Sequence, residues 1–449
     1  MTLHSKLHSL VRLGTLSSAS LVFPLACTGG GENPSDEGQS ETMASTMTAD
    51  DTGTASGMDG NTEDESGTTG AETSGNPDAS TTDSESADDT ASDSGDESGS
   101  ACGVTPGDWS APDWATNTSE ALALRAQLEA LTGAMTMRGA EQGMGTVDDV
   151  GDLTTPFEAG RPSLADITSA GFTGVIDNAF AEFVDVIAAG TKDLIDEGGQ
   201  WTPGTSGGIF GSSTRGFNEG GLEVRQLVDK GLFAGAGLYN YALGRTAGTI
   251  DAATIDALAA AWGSNETLDP MGMPADSAGY TYEMGFHARA ANALAAAKAY
   301  AADPQCLNER DEAIRSFFNT WEQAMAARLV YYANVAVTAT ASATMDDDFA
   351  GALHELAEGA GLVLGFHGLE APATGPMSAS ARIITDKDLA NIMDALGIDI
   401  TDLGASSTGE FVENVPNFEA AVTAVEAVVA DVYGLTADDV QSYRMPTPG

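Results

Sequence analysis

Residues 346–370 read DDDFAGALHELAEGAGLVLGFHGLE, and the spacing of their apolar side chains decides the fold class. Phe349, Leu353, Leu356, Ala360, Val363, Leu364 and His367 recur at three- and four-residue intervals, the period of a helix with one face turned to a core. The stretch predicts a single helix running to Glu370, with His367 on the apolar stripe. His354 and Glu358, four residues apart, fall on another face beside Glu355. Two of the three histidines beyond residue 26 lie here, so this is the first place to look for a site.

Outward from this helix the same period recurs. Asn308 to Ala343 carries Ile314, Phe317, Phe318, Trp321, Met325, Leu329 and Tyr332 on one face; the short turn that follows makes it an antiparallel neighbour of the first helix. Upstream, Thr118 or Ser119 can cap a helix through Leu124, Leu128 and Leu131, and Ser163 opens a short helical turn. Phe172, Val175, Ile176, Ala179, Phe180, Phe183, Val184 and Ile187 form a broad apolar stripe. Leu222 to Leu243 is periodic with Gly231 and Gly235 inside it, which predicts close approach of another helix. Asp251 caps a helix to Trp262, and Ser277 to Ala302 carries His287, read as a structural histidine among Tyr280, Met284 and Ala291. Thr385 or Asp386 begins a helix stopped by Gly397, and Asn417 begins one stopped by Gly434.

Between these elements, Gly133 to Pro162 reads as irregular and Glu197 to Gly221 as a glycine-rich loop. The loop contains Gly204, Ser206 and Gly208, the spacing of a nucleophile elbow. That motif needs a strand before the serine and a helix after it; neither is predicted, so the loop reads as a surface excursion. No strand pair and no fixed repeat emerge. The fold class is all-α, an antiparallel multi-helix bundle over residues 102–449.

The first 26 residues carry His4, Lys6, His8 and Arg12, then the uncharged run LGTLSSASLVFPLA, the layout of a secretory signal peptide too short to span a membrane. Pro24, Leu25, Ala26 and Cys27 resemble a lipobox, which implies a lipid on Cys27, and Thr28 after it favours an outer-membrane lipoprotein. Residues 27–101 are almost entirely Ser, Thr, Gly, Ala, Asp, Glu and Asn, with hardly any apolar side chain and no Lys or Arg; such a composition predicts a disordered acidic linker, a tether. Two cysteines remain, Cys102 and Cys306, and outside the cytoplasm such a pair is a candidate disulfide. No Cys/His cluster with zinc-site spacing is present.

Charge narrows the partners. The chain carries 67 Asp and Glu against 18 Lys and Arg, and residues beyond 101 still hold 48 against 16. Binding to nucleic acid or anionic lipid through charge is disfavoured, while cations and basic partners are attracted.

His354 with Glu358 can supply two metal ligands from one helix face, given further donors from other helices, for which Glu219, Glu223 and Glu283 are candidates. His-Glu-Leu-Ala-Glu is not a zincin string, since Glu358 stands where the second histidine belongs. Three stretches, residues 218–243, 310–334 and 352–366, resemble secreted bacterial lipoproteins with an imelysin-like domain, helical and of largely unknown function. Imelysin is similar in carrying G-x-H-x-x-E, which stands here as Gly365, His367 and Glu370. The resemblance implies His367 and Glu370 as metal ligands and iron or another divalent metal as cofactor. The expectation is a lipid-anchored envelope protein whose helical domain binds an unknown protein or small molecule. The alternatives are an iron- or metal-binding protein of metal acquisition and a metal-dependent hydrolase.

Overall fold

The computed structural model describes residues 102–136, 147–189, 207–210, 215–275, 280–342, 346–410 and 414–444. Cys27, the segment before it and the linker to residue 101 lie outside these, as does Ser206. The described residues are mostly helical.

In chain order the helices are α1 (Trp114–Asn117), α2 (Ser119–Ala134), α3 (Gly151–Glu158), α4 (Leu164–Ile167), α5 (Ala170–Ala189), α6 (Val224–Gly231), α7 (Leu238–Arg245), α8 (Ala252–Trp262), α9 (Tyr280–Glu283) and α10 (Phe286–Ala301). They continue as α11 (Leu307–Ser342), α12 (Asp346–Leu364), α13 (Asp386–Ala395), α14 (Val415–Tyr433) and α15 (Ala437–Arg444). A two-stranded antiparallel hairpin, β1 (Gly208–Phe210) with β2 (Arg215–Phe217), pairs Gly208 with Phe217 and Phe210 with Arg215. Sequence reading expected no strand, because three residues a side are too few to show an alternating period.

The axis of the fold is α11, whose 36 residues span about 54 Å at 1.5 Å per residue. Ile314, Phe317, Phe318, Trp321, Met325 and Leu329 are fully buried along it. α10 and α12 flank it, α14 and α15 pack on it too, and α6 packs on α12. At its middle, Tyr239 meets Phe318, Trp321 and Phe366 edge-on at 5.0, 5.4 and 5.1 Å, and Trp262 meets Trp321 at 5.1 Å. Edge-to-face rings at these spacings add about 0.5–1.5 kcal/mol each beyond burial.

Three expected helices differ from what is found. Leu222 to Leu243 divides into α6, a five-residue π-helical turn at Leu232–Ala236, and α7. The reason is the crossing with α12: a Cβ on Gly235 would stand 2.3 Å from the carbonyl carbon of Gly365, and one on Gly365 would stand 2.4 Å from Gly231 O. Here main chain rests on main chain, and the widened turn accommodates it. The element expected from Ser277 is cut at Gly285, where φ is 72°. The element expected to reach Glu370 stops at Leu364 and turns through Gly368, at φ 64°. α3 forms inside the segment read as irregular, and α15 follows Gly434.

Several caps are as the sequence places them. Ser163 and Asp166 form a capping box, as do Thr385 and Asp388, and Asp251 accepts from Thr254 N. Cys102 and Cys306 are joined by a disulfide with Cα atoms 5.2 Å apart, which fastens the start of the domain to the α10–α11 turn. Nearby, Lys298 lies 4.1 Å above the Trp109 ring and pairs with Asp256. No helix among the described residues is long and apolar enough to cross a membrane.

Candidate functional site

α6 and α12 bring together a group of buried charges. Glu223 precedes the first residue of α6 and Gln226 and Lys230 follow at three and seven residues, so all three lie on one helix face. That face meets the one of α12 that carries His354 and Glu358. His354 Nδ1 lies 2.7 Å from Glu223 Oε2, and its Nε2 lies 3.5 Å from Glu358 Oε1. Lys230 Nζ reaches the same Glu358 oxygen at 3.0 Å and Asp229 at 3.4 Å. None of the four side chains in the chain Glu223–His354–Glu358–Lys230 is more than 14% exposed.

α11 closes the cluster from below. Arg328 Nη2 donates to the Tyr332 hydroxyl at 2.9 Å, and its guanidinium lies over the rings of Tyr280, Tyr331 and Tyr332 at 4.9, 4.4 and 4.1 Å. Tyr332 in turn hydrogen-bonds Glu358.

The charges decide each other's protonation. Burial disfavours the charged form of every member, but the opposite charges win. Burial alone would raise Glu358, yet Lys230 and His354 bring it down to about 2. Glu223 is lowered against its own burial by His354, and His354 is raised against its burial by Glu223 and Glu358. Glu355 beside them is raised, because burial and Glu358 outweigh the opposing pull of His354, Arg328 and Arg215. The cluster is thus a closed alternation of carboxylate, imidazolium, carboxylate and ammonium.

The C-terminal end of α12 holds a different arrangement. About ten helical residues, roughly 15 Å of rise, separate it from His354. There His367 Nδ1 lies 3.0 Å from Asp386 Oδ1, but off the line a hydrogen bond requires, so the contact is electrostatic and the nitrogen has no hydrogen-bond partner. The same Asp386 oxygen accepts from Gly368 N at 2.8 Å and faces Arg382 Nη2 at 2.7 Å. Glu370 is exposed.

The four expected ligands therefore form two separate places, His354 with Glu358 and His367 apart from Glu370. Of the further donors, Glu223 joins His354, Glu219 is exposed, and the Glu283 side chain lies outside the described residues. Among the described residues no group of three His, Cys, Asp or Glu side chains is placed to hold a metal ion. The reason at His354 is geometric: Glu223 and Glu358 face opposite edges of one ring. His287 is buried, its Nε2 2.7 Å from Leu268 O and its Nδ1 accepting from Trp262 Nε1 at 3.4 Å, the surroundings of a structural histidine.

Sequence reading missed Lys230, Arg328, Tyr332 and Glu322. Lys230 had a signal, its place on the face of Glu223 and Gln226, and Arg328 with Tyr332 had theirs in a four-residue spacing on the long helix. Glu322 had none. It is buried on α11 and accepts from Ile383 N at 2.8 Å, Ile384 N at 2.6 Å and Tyr433 OH at 2.9 Å.

No protein-family model, no curated protein and no solved structure matches the chain.

Proposed function

We propose that the chain is a lipid-anchored envelope protein, kin to the imelysin-like lipoproteins, whose helical bundle binds a ligand or protein partner and carries out no reaction of its own. The observation that supports this best is the closed cluster at His354. Its carboxylates are held ionised by Lys230 and by the histidine itself, so the imidazole serves as a cation between helices. A general base must be free to take a proton, and here Glu223 and Glu358 favour the charged form of the imidazole.

One observation favours the metal-binding reading as a second. Glu223 Oε2 and the Gln226 amide nitrogen both stand near His354 Nδ1, at 2.7 and 3.3 Å, and Gln226 Oε1 is buried without a partner. Turned about, that amide would offer an oxygen beside a nitrogen and a carboxylate. In that reading iron or another divalent ion takes the place of the proton on Nδ1.

Titration of the purified, chelator-stripped protein with Fe²⁺ and Zn²⁺, against a weak competing chelator that outbids loose surface carboxylates, separates the two. The binding-domain reading expects no stoichiometric site. A one-to-one site that disappears in His354→Ala replaces it with the metal reading.

A further inference from the structure

α10 and α11 run side by side with a groove of about 400 Å³ between them, a volume within the range that holds small organic ligands. Its floor is methyl groups, Ala293, Ala296 and Ala313, and its rim carries Arg289, Asn292 and Ser316. The spacing on α10, residues 289, 292, 293 and 296, is that of one helix face. Thr320 also lines it but spends its hydroxyl on Ser316 O at 2.8 Å.

Arg289 is the cation of this groove. Like Arg125, Arg215, Arg225, Arg315, Arg328 and Lys387, it has no carboxylate within ion-pair distance among the described residues, and of these it is the one that lines the groove. Its guanidinium is nonetheless fixed in place. It lies 4.4 Å over the Phe286 ring, and Nη1 donates to Gln323 Oε1 at 3.3 Å. Gln323 is itself held, its Nε2 donating to Tyr443 OH at 3.2 Å. Packing against these neighbours desolvates the group enough to lower its pKa from the usual arginine value. What is left open is the other edge of the guanidinium fork, planar and aimed by neutral partners only.

We propose that this groove is a binding site for a small monocarboxylate with a short apolar body. The carboxylate pairs with Arg289, with Asn292 and Ser316 as further hydrogen-bonding groups, while the apolar part lies on the alanine floor. A planar fork matches a carboxylate in a two-bond geometry, and the alanine floor suits an apolar body, which inorganic phosphate lacks. The inference rests on the ligand-binding reading of the domain and gives that reading a location and a ligand class.

The test is an NMR titration of the full chain, labelled at arginine side chains and alanine methyls, with hexanoate, acetate and inorganic phosphate as probes. Hexanoate should give saturable shifts at Arg289 Nε and at the Ala293 and Ala296 methyls, with affinity about tenfold weaker in Arg289→Gln. Arg289 is exposed, so that variant keeps the fold, which its unchanged remaining spectrum verifies. Acetate, lacking the apolar body, should bind more weakly. Absence of saturable hexanoate shifts at these groups, binding unaltered in Arg289→Gln, or phosphate binding as tight as hexanoate would each overturn the proposal. Hexanoate binding that survives Arg289→Gln would remove the groove while leaving a ligand-binding domain. A stoichiometric metal site at His354 would remove the parent reading and leave these shifts unexplained by it.

Discussion

Two carboxylates buried on the central helices, Glu358 on α12 and Glu322 on α11, are treated in opposite ways. Glu358 faces Lys230 and His354, and its pKa falls to about 2. Glu322 faces two backbone amides and a tyrosine hydroxyl, a fuller set of hydrogen bonds, with Arg382 only a minor influence, and its pKa is raised by burial. Hydrogen bonds from neutral donors offset part of the desolvation of an anion; a full opposite charge at 3.0 Å offsets more. The Glu358 region is therefore an ionic junction among α6, α11 and α12. The Glu322 region is a clamp on main chain, holding the segment before α13 against α11 and α14.

The sharpest way to break this contrast is to remove one charge from each region. Lys230→Met leaves Glu358 buried beside a single remaining cation, and the loss of unfolding free energy should be about 3–5 kcal/mol by denaturant titration. Lys230→Met combined with Glu358→Leu should lose less than that single change, since the double variant strands Asp229 alone and no longer Glu358 as well. Equal or greater loss in the double variant would mean the junction works through packing, and the comparison would fail. Glu322→Ala strands amides instead of charges, and should cost about 1–3 kcal/mol, with faster amide exchange at Ile383 and Ile384 as its local signature. If those amides exchange as before, Glu322 is no clamp.

How much of this could be read from the sequence differs between the two regions. The helix of α12 and the position of His354 off its apolar stripe follow from spacing, because those residues lie on a regular element; Glu223 was one of three candidate donors that no spacing told apart. Lys230 lies on the same face as Glu223, and that spacing was legible. The Glu322 clamp was not, since its partners are main-chain amides of an irregular segment whose path no periodicity records. The early end of α12 was hidden for a related reason. Gly365 sits against the Gly231 backbone, and that contact depends on where another helix crosses. His367, expected on the core stripe of a continuing helix, instead meets Asp386, which in the sequence shows only as a candidate cap for α13. The helical class of the fold was legible throughout, because long amphipathic segments carry their own signal.

The pH dependence separates the two regions most cleanly, because it has opposite signs. Glu358 and Glu223 have lowered pKa values, so their contribution is present above the ordinary glutamate value of 4.5 and is lost as pH falls through the folded values. His354 has a raised pKa, so its contribution is complete below 6.5 and is lost as pH rises through the folded value. The junction should be strongest between roughly pH 4.5 and 6.5. Glu322 has a raised pKa, so the folded protein binds its proton more tightly than the unfolded chain does. Its protonation favours folding below 4.5, and the gain fades as pH rises through the folded value. Glutamine mimics the protonated acid. Relative to wild type, Glu358→Gln should therefore become more destabilising as pH rises from 3 to 6, and Glu322→Gln less so, each by about 1 kcal/mol for every unit of pKa displacement. Denaturant midpoints of the two variants and wild type across that range decide it. Parallel curves would mean that cation and neutral donor stabilise these two anions alike, and that the junction at His354 owes its strength to something other than charge.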